Sequence, residues 1–184
     1  MRFFLGIEVL ERSDVIFICQ RKYAREILER FDMINNNGVC NPSTVGYKLN
    51  KDEGGIKVDV TQFKQIIGSL MYLSATRPDI MFAVSLISRF MTCPTQMHFS
   101  VAKRILKYVK ETMDYGVFYR RGMKGDLVGY KDSDYAGDDE DSRSTSGYVF
   151  MMSGGGVAWS SKKQPIVTLS STEAESCVDD KSTI

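Results

Sequence analysis

Histidine and closely spaced cysteines, the usual zinc ligands, are scarce in this sequence. There is one histidine, His98, and the four cysteines contain no Cys-x-x-Cys pair. A structural zinc ion needs such ligands close together, so this spacing argues against a zinc site and favours reduced thiols in an intracellular protein. Apolar runs are also short, and none approaches the roughly 20 residues of a membrane-spanning helix. Met1–Gly6 runs into a strand-like pattern and not into a signal peptide, so we expect no membrane contact.

Net charge is almost absent as well. It is +1 over 184 residues, which does not by itself indicate a polyanionic partner, while 43% hydrophobic residues allow a globular core. The charges are unevenly placed, because basic residues gather in residues 98–124 and acidic residues in Asp132–Asp141. A basic stretch beside an acidic one suits phosphate binding next to a metal site, although ordinary solvated charge explains the composition equally well.

Hydrophobic periodicity predicts a hairpin and then a series of helices. Phe3–Leu10 and Val15–Cys19 are rich in β-branched and aromatic residues on either side of a turn, which predicts a β-hairpin. Gln20–Met33 has helical spacing, and the polar residues 39–60 predict a linker. Three further helices are predicted over Gln62–Ala75, Ile80–Met91 and Gln96–Met113, with Thr61, Asp79 and Thr95 as N-caps, followed by a strand over Tyr115–Tyr119.

The last part of the chain predicts an antiparallel meander and a helix. The predicted strands are Leu127–Asp134, Ser146–Met152 and Val157–Ser161. Alternation in the first strand places Tyr130, Asp132 and Asp134 on one face. We expect Asp132 to lie on the central strand of the meander, with its carboxylate facing the start of the helix that follows. Either Ser170 with Glu173 or Thr172 with Glu175 fits a capping box at the start of the helix. The chain is therefore expected to be α+β, with an N-terminal β-hairpin and helix, a helical middle and an antiparallel meander.

Carboxylates at the end of a strand and at the start of a helix suggest a divalent-metal site. Mg²⁺ prefers carboxylate oxygens, and two such ions about 3.5–4 Å apart stabilise both the attacking and the leaving oxygen in phosphodiester cleavage. An EF-hand calcium loop is the alternative, since Asp132, Asp134 and Asp138 fit its positions. Ala136 and Arg143 do not fit, and a β-run follows where that motif has a helix.

Four phrases of this region occur in a characteristic order: Tyr130–Asp138, Ser144–Tyr148, Trp159–Gln164 and Ser170–Glu175. They resemble the ribonuclease H segment at the C-terminal end of copia-type LTR retrotransposon Pol polyproteins. Upstream phrases extend the resemblance to the reverse transcriptase palm and thumb and to the connection region; they are Phe4–Val9, Ile16–Tyr23, Gly68–Leu73, Thr76–Ile80 and Lys103–Tyr108. The resemblance implies three regions: the end of the palm and thumb at 1–45, a helical connection at 46–125, and an incomplete ribonuclease H-like domain at 126–184.

The resemblance also implies roles for particular residues. Asp132, Glu175 and Asp179 match the catalytic carboxylates that hold Mg²⁺, with Asp134 and Glu173 as second choices. The implied partner is an RNA–DNA hybrid, in a cytoplasmic particle or the nucleus. The candidate contacts to its backbone are Arg21, Lys22 and Arg25 after the hairpin and Lys103, Arg104 and Lys107, which lie outside the apolar stripe of their helix.

The resemblance changes after Glu175. Family members continue with the rest of a helix, a loop and another strand before a phrase like Val178–Ile184, which here follows almost at once. Asp179 would be the matching aspartate of that phrase, and a random polar tail is the other interpretation. The paired polymerase aspartates of the Tyr-x-Asp-Asp type are absent. We therefore expect a fragment that is inactive by itself; the alternatives are a non-catalytic nucleic-acid-binding module and a non-functional remnant.

Overall fold

The structure is a computed structural model that describes residues 2–43, 49–122, 126–134, 136–138 and 141–176. Its strands are β1 (Arg2–Phe4), β2 (Ile7–Glu11), β3 (Val15–Cys19), β4 (Gly116–Arg120), β5 (Val128–Asp134), β6 (Thr145–Met152) and β7 (Gly155–Lys163). Its helices are α1 (Arg21–Arg30), α2 (Val60–Leu73), α3 (Met81–Ser88), α4 (Gln96–Glu111) and α5 (Ser171–Ser176), with a 3-10 turn at Pro78–Ile80. The predicted α+β class is confirmed.

The N-terminal sheet has four antiparallel strands in the order β1-β2-β3-β4. The predicted hairpin is confirmed as β2 and β3. The prediction of a single strand over Phe3–Leu10 is wrong, because a tight turn at Leu5 and Gly6 separates β1 from β2. Both turn residues have positive φ angles, 47° and 74°, which match the twist of paired strands. The predicted strand near Tyr115 is confirmed as β4, which pairs with β3 and joins the sheet from far along the chain.

Helices α1 to α4 enclose the main hydrophobic core. Helices α1, α2 and α4 contribute the apolar stripes that their helical spacing predicted, and the largely apolar α3 packs against α2 and α4. The side chains that are essentially inaccessible to solvent include Ile27, Leu28, Phe63, Ile66, Ile67, Leu70, Leu73, Ile80, Ile87, Ile105 and Leu106. None of the helices in the described part of the chain is both long and apolar enough to cross a membrane.

Two of the predicted helix caps are wrong. Helix α2 is capped by Asp59 and not by Thr61, because one Asp59 carboxylate oxygen accepts hydrogen bonds from the Thr61 and Gln62 N–H groups, at 2.7 and 3.1 Å. Asp79 lies inside the 3-10 turn and not at the start of α3. Its carboxylate instead accepts two hydrogen bonds from the guanidinium of Arg77. The competing partner is local, two residues before Asp79, but only the burial of Arg77 shows that it takes precedence over capping.

The predicted cap at Thr95 is confirmed, and a histidine completes it. His98 is fully buried and its Nδ1 accepts a hydrogen bond from the Thr95 N–H at 3.0 Å. Its Nε2 lies 2.9 Å from the Asn50 carbonyl oxygen, which can only accept, so Nε2 carries the proton of the neutral ring. Burial lowers the pKa of His98, against the opposing effects of the Asn50 carbonyl and the Asp52 carboxylate. The cap is therefore built for the neutral imidazole.

This arrangement predicts a loss of stability in mild acid. A histidine with a lowered pKa in the folded state contributes its full stability above the unfolded pKa of about 6.5, and loses it as the pH falls below that value. We expect the free energy of unfolding in urea to fall by up to about 1 kcal/mol between pH 6.5 and 5.5. His98→Gln should be less stable at neutral pH but should lack this part of the pH dependence. Equal slopes in the parent and the variant would contradict the assignment.

The predicted meander is confirmed as a three-stranded antiparallel sheet in the order β5-β6-β7. Its register places Asp132 opposite Gly147 and Asp134 opposite Thr145. The expectation that Asp132 would lie on the central strand is wrong for the described residues, because β6 is central and β5 lies at the edge. The exposure of β5 agrees with an edge position, since six of its seven residues are exposed and Tyr130 is 58% exposed.

The meander packs on the helical part through β7, which contacts α3 and the 3-10 turn. The Trp159 indole N–H donates to the Ser74 carbonyl at 2.9 Å, and the Ser85 hydroxyl donates to the Ser161 carbonyl at 2.7 Å. The Tyr119 hydroxyl donates to the Gly156 carbonyl at 2.5 Å, which also ties the meander to the N-terminal sheet. The implied boundaries near residues 45 and 125 stay predictions.

Candidate functional site

Strand β5 brings two candidate carboxylates to one face of the meander. Asp132 and Asp134 both line a groove of about 640 Å³ between the sheet and residues 78–82. The Asp132 side chain is exposed, and one of its oxygens accepts a hydrogen bond from the Ser133 N–H at 2.8 Å. The Asp134 carboxylate accepts from the Thr145 N–H on the neighbouring strand. The two acids therefore share a groove but differ in their hydrogen-bond partners.

The electrostatic surroundings of Asp134 are mixed. Partial desolvation raises the pKa of its carboxyl, while the Thr145 N–H and the positive charge of Arg89 act in the opposite direction. Asp132 contributes further to the rise through repulsion between the two negative charges. Asp134 is therefore held by a backbone N–H of the neighbouring strand and lies near the positive charge of Arg89, whereas the hydrogen bond described for Asp132 comes from the adjacent Ser133 N–H.

Helix α5 packs beside β5 and carries the other described candidate, Glu175. One half of the predicted capping box at Ser170 is formed, because the Ser170 hydroxyl accepts from the Glu173 N–H at 3.1 Å. The Glu173 carboxylate accepts from the Leu169 N–H at 2.7 Å, one residue earlier than in the usual motif. Glu173 is thus engaged at the helix start, which leaves the exposed Glu175 as the better candidate.

The carboxylates match Mg²⁺ in type, because this hard cation takes oxygen ligands. Within the described ranges, however, no group of three or more histidine, cysteine, aspartate or glutamate side chains is placed to hold a metal ion. Asp179, the third implied ligand, lies outside the described residues. A metal ion shared by Asp132 and Glu175 stays a prediction.

Gln164, which the sequence reasoning did not single out, links β5 to α5. Its side chain is almost completely buried, and its Nε2 donates to the Ala174 carbonyl and to the Ser146 hydroxyl, both at 2.6 Å. The same nitrogen lies 3.5 Å from the Ser133 hydroxyl. The only signal in the sequence was its place at the end of the phrase Trp159–Gln164.

A second missed group fixes the loop between β5 and β6. The Asp138 carboxylate accepts from the Lys163 ammonium at 2.6 Å and lies 3.4 Å from the Arg89 guanidinium. Arg89, which follows α3, also donates to the Thr145 hydroxyl at 2.9 Å. Asp138 is therefore neutralised by two cations, which gives it a structural role and removes it from the calcium-loop alternative.

Three of the predicted nucleic-acid contacts lie on α4. Lys103, Arg104 and Lys107 line one cavity of about 1030 Å³, which residues 31–33 at the end of α1 also line. The Lys103 ammonium is exposed and lies 4.8 Å from the centre of the Phe99 ring. The Arg104 guanidinium donates to the Asn41 side chain. The structure therefore gathers these cations at one opening, although Arg104 is partly engaged.

The other three predicted contacts lie at the start of α1, which packs against α4. Arg21 pairs with the Asp114 carboxylate at 2.7 Å, and both side chains are well exposed. The Lys22 ammonium lies 5.0 Å from the centre of the Phe3 ring. Arg25 is exposed on the next turn. The predicted contacts thus form two clusters of basic residues on the neighbouring helices α1 and α4. In the α1 cluster, Arg21 is partly neutralised by Asp114.

Comparison with known proteins identifies the family. The chain is 41% identical over 95% of its length to the retrovirus-related Pol polyprotein from transposon RE1 of Arabidopsis thaliana, and 39% identical over the same share to that from transposon RE2. It is also 36% identical to the uncharacterized mitochondrial protein AtMg00810 of the same plant, over 95% of this chain and 72% of that protein. No family model and no solved structure matches the chain.

The chain belongs to the family of retrovirus-related transposon Pol polyproteins, as its copia-type phrases predicted. It spans only 12% of the length of the RE1 and RE2 polyproteins. The activities of a whole polyprotein therefore cannot be transferred to this part without further argument.

Proposed function

We propose that this chain is the part of a Pol polyprotein that holds an RNA–DNA hybrid between the end of a reverse transcriptase and a ribonuclease H-like meander, and that it does not cleave the hybrid by itself. The observation that carries the proposal is the gathering of Lys103, Arg104 and Lys107 at one cavity on α4. The resemblance of its connection and ribonuclease H phrases to copia-type Pol supports the choice of ligand.

The chemistry of these cations suits a nucleic-acid backbone. Lysine and arginine side chains that neutralise phosphates release condensed counterions, which favours binding without reading the sequence. Arg25 and Lys22 add further positive charge on the adjacent helix α1. A hybrid duplex lying across α1 and α4 would meet both groups, and the meander would then receive the neighbouring part of the duplex.

The absence of cleavage is proposed because the carboxylates near β5 are engaged within the chain. Asp134 accepts from Thr145, Asp138 is held by two cations, and Glu173 caps α5. Mg²⁺ gives up its bound water reluctantly and demands near-octahedral geometry, so it needs several carboxylates held in fixed positions. Asp132 and Glu175 would be the Mg²⁺ ligands in this part of the chain, and a further carboxylate would be needed to hold the ion in place.

A cleavage assay tests this proposal. The purified chain is incubated with an RNA–DNA hybrid and Mg²⁺, beside Asp132→Asn, which keeps the size of the side chain but removes its charge. We expect the parent to release no more RNA fragments than the variant, because in-line attack requires reacting groups held in place. Robust cleavage by the parent that Asp132→Asn abolishes would overturn the proposal and identify a complete active site.

A further inference from the structure

The amide of Gln164 touches the two residues that stand next to the candidate carboxylates. Ala174 precedes Glu175 on α5, and its carbonyl accepts a 2.6 Å hydrogen bond from Gln164 Nε2. Ser133 follows Asp132 on β5, and its hydroxyl lies 3.5 Å from the same nitrogen. One buried side chain therefore contacts the strand that carries the aspartate and the helix that carries the glutamate.

The orientation of this amide is determined by its surroundings. A backbone carbonyl can only accept a hydrogen bond, so the side-chain nitrogen and not the oxygen of Gln164 must face Ala174. The second hydrogen of that nitrogen is directed to the Ser146 hydroxyl on the central strand β6. The Gln164 backbone N–H donates to the Ser144 carbonyl at 2.8 Å, which fixes the main chain from which the side chain reaches across.

Helix α5 needs such an attachment. It has six residues, and helices this short are not stable in water without tertiary contacts. Its attachments to the meander include the Gln164 hydrogen bond and the fully buried Ala174 side chain. Losing a hydrogen bond to a buried carbonyl leaves that carbonyl unsatisfied, which is more unfavourable than the burial of a single methyl group is favourable.

We propose that Gln164 is a positioning residue that docks α5 against β5 and thereby sets the separation of Asp132 and Glu175. The functional meaning of this separation rests on the proposed function, in which the two carboxylates belong to one site. The docking itself does not depend on that assignment.

Amide hydrogen exchange measured by NMR tests the docking. Gln164→Met keeps the length of the side chain and removes its donor, and Gln62→Met, at an exposed position on α2, is the matched control. We expect Gln164→Met to speed exchange at the Glu173 and Ala174 amides by about tenfold or more, with amides of β6 and β7 unchanged. Unchanged exchange in α5 would overturn the proposal. If Gln164→Met unfolds the whole meander, Gln164→Asn, which keeps the amide but is one methylene too short to reach the Ala174 carbonyl, is judged by the same criterion.

A titration with Mn²⁺ separates this inference from the proposed function. In the parent, a metal ion bound at one shared site would broaden the Ser133 and Ala174 amide signals at the same Mn²⁺ concentration. In Gln164→Met the two signals should broaden at different Mn²⁺ concentrations, because the two carboxylates no longer form one site. If neither signal broadens in the parent, the shared metal site is wrong, while faster exchange of α5 in the variant still supports docking by Gln164. If the variant exchanges faster yet both signals broaden as in the parent, Gln164 does not set the separation of the two carboxylates.

Discussion

Replacing Arg77 with methionine is expected to lower the free energy of unfolding by about 2–3 kcal/mol, because it leaves the buried Thr112 carbonyl without its partner and removes the charge-assisted pair with the partly exposed Asp79. Arg77 is only 2% exposed and lies at the junction of the 3-10 turn and the end of α4. Its Nε and Nη2 donate to the two Asp79 oxygens at 2.8 and 2.7 Å. Its Nη1 donates to the Thr112 carbonyl at 2.8 Å, and Nη2 also donates to the Thr112 hydroxyl at 2.6 Å.

The loss is large because several groups would be left without partners at once. Burial alone would raise the pKa of Asp79, but the hydrogen bonds and charge of Arg77 outweigh it and hold the pKa below its ordinary value. An aspartate with a lowered pKa contributes stability above its unfolded pKa of about 3.9, and this contribution disappears as the pH falls through the folded pKa. Arg77→Met should therefore remove stability at neutral pH and weaken the acid dependence.

Urea unfolding at neutral pH measures the effect. Arg12→Met is the control, because Arg12 is exposed and its substitution is expected to change stability by no more than about 0.5 kcal/mol. Arg77→Lys should also be destabilising, since an ammonium cannot form the paired hydrogen bonds of the guanidinium fork. A loss below about 1 kcal/mol in Arg77→Met would mean that the buried network contributes little.

The second large effect concerns hybrid binding. The double variant Lys103→Gln/Lys107→Gln is expected to weaken binding of an RNA–DNA hybrid by about 50-fold at 0.1 M salt, because each lost phosphate contact removes close to one released counterion. Both residues line the cavity on α4, and Arg104 is left in place because its guanidinium also contacts Asn41. The measurement is fluorescence anisotropy with a labelled hybrid.

The matched control is Lys57→Gln/Lys64→Gln. It changes the net charge by the same amount at two exposed lysines that do not line the cavity. We expect it to weaken binding by less than about threefold, through long-range charge alone. Equal losses in the two double variants would mean that net charge, and not the cavity on α4, determines binding.

Local patterns predicted the elements well where one signal dominated. The apolar stripe of α4 and the cap at Thr95 located that helix to its first residue, and alternation placed Asp132 and Asp134 on one face of β5. The turn at Leu5 and Gly6 was missed because both flanking stretches are β-rich, and the continuous pattern hid the reversal. The family was predicted from four phrases and is confirmed by the relatives.

Partners far apart in the sequence could not be predicted. Arg77 lies between two predicted helices, and its partner Thr112 is 35 residues away. Gln164 follows β7 and Arg89 follows α3, and they meet their partners only once the meander is formed and packed on α3. Edge and central positions of strands likewise depend on the whole sheet, which explains the wrong placement of Asp132.

The salt dependence of hybrid binding tests the central claim most directly. The affinity of the purified parent chain for an RNA–DNA hybrid is measured between about 0.05 and 0.2 M salt, beside Lys103→Gln/Lys107→Gln. Contacts from both basic groups predict a log–log slope of about −3 or steeper for the parent, and a slope shallower by about 2 for the double variant. A flat slope, or the same slope in both proteins, would contradict the proposal that this part of the Pol polyprotein holds the hybrid on α4.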